Sequence, residues 1–172
     1  MNHLKRCFVW LSRIHKCRGF GIQSPTDYAF VRYVVNEHWP YYAYDILRTG
    51  NWLDDKLGML YFRLANWRQP NVMLQDSYQV WWHAGCKKTH FSNELTTVDL
   101  LRIDIEDSES LEKYLPMCNE MSVLVLQGIY RDRKRWHEIE HDDRIGTTFD
   151  LYYCGIAFLD TKRYKHNYII NF

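Results

Sequence analysis

His137-Glu138-Ile139-Glu140-His141 has the plainest chemical meaning of any pattern in this 172-residue chain. H-E-x-x-H sets two histidines one helical turn apart to bind Zn²⁺, with the glutamate placed to activate water. Its surroundings argue the other way. The pentapeptide lies in RDRKRWHEIEHDD, a strongly charged stretch with Glu140 where zincins carry an apolar residue, and no H-x-x-G-x-x-H continuation follows. A surface helix with coincidental spacing is the expectation, and a zinc metallopeptidase through His137 and His141 is the remote alternative. His83, Cys86 and His90 are close enough to suggest a metal but lack a fourth ligand or a paired C-x-x-C. His83 is expected as a partly buried packing residue beside Trp81 and Trp82. No serine-histidine-acid or P-loop pattern is visible.

A second place for chemistry is NVMLQDSYQVWWHAG, residues 71–85, which reads as a buried strand running into a helix. Nucleotide-binding enzymes place a glycine-rich turn at such a junction, yet no glycine occurs here until Gly85. Asp76, Ser77 and Tyr78 occupy the turn instead. Asp104 and Gln127 are expected at the carboxyl ends of later strands, where ligands bind in open α/β sheets.

The elements that would position these residues follow from periodicity. In QSPTDYAFVRYVVNEHW, Ser24 caps a helix, Pro25 suits its first turn and Asp27 sits where a capping-box acid reaches back. Tyr28, Val31, Val34 and Val35 recur at helical spacing. A second helix is expected from Asp54 to Trp67, ending before Pro70, with WPYYAYDILRTGN between the two as a loop or short helix. From Asn71 the pattern changes. VML, VDLLRIDI and MSVLVLQGI are apolar runs of the kind found in strands covered on both faces. SESLEKYLPMC reads as a crossover helix, RDRKRWHEIEHD follows the third strand, and TTFDLYYCGIAFL with HNYIINF reads as a closing antiparallel pair. This order implies a mostly parallel sheet with helices packed on it. The length fits one domain over 1–172, a helical extension (1–70) packed on an α/β core (71–172).

Charges nearly cancel at +1, so the total points neither to a nucleic-acid binder nor to an acidic solvating protein. The bases are unevenly spread. Lys5, Arg6, Arg13, Lys16 and Arg18 fall in the first 20 residues with no acid among them, and Arg131, Arg133, Lys134 and Arg135 form a second cluster. Solvated helix faces are the expectation for both, with phosphate or anionic-lipid contact as the alternative. Five scattered cysteines suit free thiols in a reducing compartment, so a cytoplasmic location is expected. CFVWL is too short to span a bilayer, and its basic, acid-free flanks resemble a transit peptide only in composition. With 7 Trp and 13 Tyr, some aromatic surface is expected to be exposed or buried against a partner.

The residues resemble class I S-adenosylmethionine-dependent methyltransferases, particularly a small O-methyltransferase-like branch from Bacteroidetes-type bacteria. HKCRGFGIQSPTDYAF is similar to that branch's basic leader and its G-x-G-[IV]-H-S-P-F signature, keeping Gly19, Gly21, Ser24 and Pro25 but with Gln23 for the histidine and Thr26 for the phenylalanine. The tyrosine-rich YYAYDIL also resembles this branch. VDLLRIDIEDSESLEKYLPMCNEMSVLVLQGIY resembles strand 4, a helix and strand 5, and DLYYCGIAFLDTKRYKHNYIINF resembles the terminal hairpin. The resemblance implies a Rossmann-like sheet.

Three departures accompany it. Family members end strand 1 in an acid and glycines, roughly V-L-E-I-G-T-S, whereas this chain has Leu74 at the acid position, Asp76 at the first glycine and Tyr78 where a small residue is expected. The family places two βα units between strands 1 and 4, each taking about 30 residues with its neighbouring strand, but only residues 76–98 are available. Metal-dependent relatives gather acids at the ends of strands 4 and 5, and Asp104 here faces a strand 5 that ends in Leu126-Gln127-Gly128-Ile129. One carboxylate with a glutamine is a poor Mg²⁺ site, and Asp104 alone equally suits capping the next helix.

The expectation is a degenerate, shortened methyltransferase-like protein, a pseudoenzyme acting by binding or assembly, with no cofactor and no catalytic residue. Asp76, Ser77, Tyr78, Asp104 and Gln127 would line its vestigial pocket. The alternative is an active methyltransferase that holds S-adenosylmethionine in a remodelled pocket. A missing unit would leave a sheet edge exposed, which with the aromatic excess suggests a homodimer.

Overall fold

The computed structural model describes residues 3–162 and 164–172. Residues 3–70 carry helices joined by loops: α1 (His3–Ser12), a 3₁₀ stretch (Ile14–Gly19), α2 (Pro25–Phe30), α3 (Tyr42–Leu47) and α4 (Trp52–Arg68). Ser24 caps α2 as its sequence suggests, its Oγ accepting the Asp27 N–H at 3.3 Å. The helix then widens into a π turn over Val31–Val35, closed by Asn36 N–H donating to Val31 O at 2.9 Å. Val31, Val34 and Val35 are buried, whereas Tyr28 of the same expected face is exposed. α4 starts earlier than the apolar pattern implies because Asn51 caps it, accepting from the Leu53 and Asp54 N–H groups at 3.0 and 3.4 Å. It ends where Gln69 turns left-handed (φ 54°) ahead of Pro70.

Strands and helices alternate thereafter: β1 (Val72–Leu74), α5 (Gln79–Gly85), β2 (His90–Ser92), β3 (Val98–Asp104), α6 (Ser108–Tyr114), β4 (Cys118–Gln127), α7 (Arg133–His141), β5 (Thr147–Asp150), β6 (Cys154–Phe158) and β7 (His166–Ile169). β1 and β2 form a parallel pair, and β1 runs beside β3, where the Asn71 N–H donates to Asp99 Oδ2 at 3.1 Å. The other five strands form a sheet in the order β3-β4-β6-β5-β7.

That sheet is mixed rather than mostly parallel. β3 pairs parallel with β4, β6 runs antiparallel to both β4 and β5, and β7 joins β5 in parallel. The closing antiparallel hairpin therefore lies within TTFDLYYCGIAFL itself, and HNYIINF adds an outer parallel strand. Alternating side chains cannot specify strand direction, which is why the pattern misassigned this pairing.

Alternation does divide the sheet into two faces. Leu100, Val123, Val125, Phe149 and Ile156 pack against α2, α4 and α5, while Leu101, Ile103, Leu124, Leu126 and Ala157 pack against α6 and α7. α4 and α5 approach closely at Gly58, where an added Cβ would lie 2.3 Å from the Trp81 ring.

The basic clusters are not simply solvated faces. Asp150, with 1% of its side chain exposed, accepts from Arg13 Nη1 at 2.9 Å, Arg133 Nη2 at 2.7 Å and the Tyr152 N–H at 2.8 Å. One base from each cluster thus meets the end of β5. Burial pushes the Asp150 carboxyl up, but hydrogen bonds and charge from the two arginines outweigh it and hold the pKa below the ordinary value. A carboxyl depressed in the folded state stabilises the protein above its unfolded pKa, and that stabilisation is lost as pH falls through the folded value. The melting temperature is expected to drop as pH falls below about 5. Asp150→Asn should flatten this dependence while costing about 3 kcal/mol at neutral pH, and thermal melts at stepped pH check both.

Candidate functional site

The turn after β1 brings Asp76 beneath the first turn of α5. Its Oδ1 accepts the Tyr78 N–H at 2.7 Å, and its Oδ2 accepts the Trp82 indole N–H at 3.0 Å. These bonds fix the carboxylate so that Oδ2 also lies 3.7 Å from Arg102 Nη1. Arg102 projects from β3 on the face toward α4 and donates through Nε and Nη2 to Gln127 Oε1, at 2.9 and 2.5 Å. Tyr61 of α4 donates its hydroxyl to that same oxygen at 2.9 Å. One guanidinium therefore links the turn after β1 to the end of β4, and one amide oxygen links both to α4.

Aromatic rings close the space around this network. Tyr61 stacks on Trp82 with centroids 4.5 Å apart and planes 16° from parallel, and meets Tyr78 edge-on at 4.8 Å. Arg102 sits over the Tyr78 ring at 5.1 Å, and the Tyr78 hydroxyl donates to Asp54 Oδ1 at 3.1 Å. Tyr61, Tyr78, Trp81 and Trp82 are all buried. Burial, followed by the nearby Asp54 carboxylate, pushes the Tyr78 pKa up to about 12. Burial likewise pushes the Tyr61 hydroxyl well above its ordinary value. Burial also raises the Asp76 carboxyl, against Arg102 and the Trp82 and Tyr78 donors, which lower it.

The five residues expected to line one pocket separate into three environments. Asp76, Tyr78 and Gln127 join through Arg102. Ser77 is exposed, away from the Arg102 network. Asp104, paired in register with Gln127, turns to a different partner: its Oδ2 forms a close ion pair with Arg131, whose Nη1 also reaches Glu106 Oε2 at 3.2 Å. Gly128 makes room for this contact, since a Cβ there would stand 2.2 Å from Arg131 Nη2. Asp104 does not cap α6. That role falls to Asp107, which accepts the Ser110 N–H at 3.0 Å, while Asp104 Oδ1 takes the Glu106 N–H at 3.1 Å.

The metal candidates are spread apart. On α7, His137 Nδ1 lies 2.7 Å from Glu140 Oε2, His141 Nδ1 lies 2.7 Å from His137 O, and Glu138 faces Lys134 at 3.8 Å. His83 is exposed on α5 rather than packed beside its tryptophans, because the helix turns Trp81 and Trp82 inward. Cys86 is buried, with its thiol 3.6 Å from Gln69 Oε1, and His90 is exposed on β2. Among the described residues, no three His, Cys, Asp or Glu side chains are grouped to hold a metal ion.

Arg102 and Tyr61, the centre of the network, were not among the candidate residues. Arg102 had a sequence signal: a lone cation in the apolar run VDLLRIDI, two positions before Asp104 and hence on its face. Tyr61 had none, because a tyrosine on an apolar helix face reads as core. Comparison with family models, curated proteins and solved structures returned no match.

Replacing Arg102 removes the cation that lowers the Asp76 pKa. Arg102→Met is expected to raise that pKa further and to destabilise the protein by about 3 kcal/mol. Carboxyl-carbon NMR titration, with thermal melts, checks this; an unchanged Asp76 pKa would disprove the coupling.

Proposed function

We propose that this chain is a shortened methyltransferase-like protein whose cofactor cleft is closed by its own side chains, and that it acts by binding or assembly rather than by methyl transfer. The observation that carries this reading is the Arg102 network. The family that the chain resembles anchors its cation-bearing cofactor with a carboxylate at the end of the first strand, and this chain has Leu74 there with a guanidinium nearby. Like charge opposes the ligand, and Tyr78, Trp82 and Tyr61 fill the adjacent volume. Arg102 and Asp76 already satisfy each other, so admitting a cofactor would separate a largely buried ion pair.

The arrangement of β3, α6 and β4 supports the strand-helix-strand part of the resemblance, whereas the hairpin beside β4 pairs β5 with β6 and not, as the resemblance implied, the CGIAF and HNYI strands. Between β1 and β3 there is only α5 and the three-residue β2, which accounts for the shortening. β2 is also a sheet edge, and its pairing with a second copy is the assembly we favour. No helix among the described residues is long and apolar enough to cross a membrane.

Calorimetric titration with S-adenosylmethionine and S-adenosylhomocysteine tests the reading, with Asp76→Ala as control. No heat and no thermal shift at millimolar ligand is the expected result. Micromolar binding lost in Asp76→Ala would overturn it in favour of an active, remodelled methyltransferase. Light scattering at micromolar protein is expected to give a dimer mass, and a monomer would remove the assembly arm.

A further inference from the structure

Away from the strand ends, the helical layer holds two cavities with complementary linings. One, about 570 Å³, lies among the 3₁₀ stretch, the end of the π turn, α3 and α4. Arg18, His38, Arg48, Lys56 and Arg63 line it against one acidic side chain, Glu37, whose Oε2 accepts the Tyr41 hydroxyl at 3.0 Å. Arg63 is buried, and its donors go to neutral groups: Val34 O at 2.6 Å, Val35 O at 3.0 Å and the Tyr44 hydroxyl at 3.3 Å. Among the described residues, Arg18, Lys56 and Arg63 form no ion pair.

The second cavity, about 420 Å³, lies under α1, where Val9, Trp10 and Leu11 face Trp52, Tyr153 and Phe172. None of the residues of α1 is buried. A helix gains most of its stability by burying an apolar face, so this one stands over a space that its own chain does not fill. Trp10, Lys56 and Phe172 line both cavities. Lys56 Nζ lies 4.4 Å from the Phe172 ring centre, at the boundary between cationic and apolar walls. Both volumes fall within the usual range for small-molecule sites, about 300–1,000 Å³.

We propose that the two cavities form one site for a single-chain amphipathic anion, its alkyl chain under α1 and its acidic head group among Arg18, Lys56 and Arg63. An anion there would supply the countercharge that the fold withholds from these bases. The electrostatics agree with the geometry. Burial and then the charges of Arg63 and Arg6 lower the Lys56 pKa to about 8, and burial followed by Arg63, Arg18, Lys56 and Arg32 lowers that of His38. The site is separate from the Arg102 network, so it stands whether or not the strand-end cleft binds a cofactor.

Calorimetry of the full chain with dodecyl phosphate below its micellar concentration tests the proposal, with inorganic phosphate and dodecyltrimethylammonium as comparison ligands. Dodecyl phosphate is expected to bind at micromolar affinity, at least about tenfold tighter than either comparison ligand. Arg18→Glu, at an exposed residue, and Val9→Trp, in the apolar slot, should each weaken it about tenfold or more. The Leu4→Gln/Phe8→Gln double variant strips the outward apolar face of α1, since neither residue lines the cavities, and should leave affinity unchanged. Loss of binding in that variant, or equal affinity for the ammonium amphiphile, would show surface adsorption and overturn the site. Equal binding of inorganic phosphate would show that the apolar slot takes no part, and would overturn it too.

Discussion

A guanidinium enclosed at the carboxyl end of β3 constrains everything around it. A cation with little access to water is tolerated only when paired and hydrogen-bonded, and Arg102 draws its partners from separate elements. Asp76 comes from the turn after β1 and Gln127 from the end of β4, while Tyr61 of α4 shares the amide oxygen that Arg102 uses. Three donors on one oxygen fix which way the Gln127 amide points. The helical layer and the strand ends are thereby locked in one register, because moving either leaves a buried donor without its acceptor.

Asp150 is the same device with the sign reversed. Its carboxylate, at the end of β5, holds Arg13 from the segment after α1 and Arg133 from the first turn of α7. The two helices belong to different parts of the molecule and share no apolar core: no residue of α1 is fully buried, while Trp136 and Ile139 of α7 pack under the opposite sheet face. One buried acid therefore ties the segment after α1 to the sheet at a point where apolar packing does not.

The sequence discloses elements better than partners, for a physical reason. Continuous apolar runs mark β1, β3 and β4 because strands covered on both faces need no polar alternation, and Ser24 marks a helix start because the free N–H groups there require an acceptor; Asn51 caps α4 in the same way, but the apolar pattern begins only at Asp54 and hides it. Pairings are less legible. Asp104 and Arg131 are 27 residues apart, Asp150 and Arg13 are 137 apart, and nothing local selects those partners over others of like charge. The direction of β7 is hidden for a related reason, since the pleat looks identical in parallel and antiparallel pairing. At the candidate site the turn residues Asp76 and Tyr78 were visible as misfits to a glycine-rich pattern, but what they fit instead depended on Arg102 and Tyr61, which approach from other elements.

A net charge of +1 conceals an uneven settlement of charge. At the strand ends every principal charge is answered within the fold: Arg102 by Asp76, Asp104 by Arg131, Asp150 by two arginines. In the helical layer the π turn ends with the Val34 and Val35 carbonyls directed at Arg63, which satisfies its hydrogen bonds without neutralising its charge. Lys56 is held against rings rather than carboxylates. Dipoles and π faces reduce the cost of burying a cation, but they do not cancel its field. The field that remains in this molecule therefore belongs to the helical layer, while the ends of the strands, where an α/β sheet ordinarily receives its ligand, have been made internally neutral.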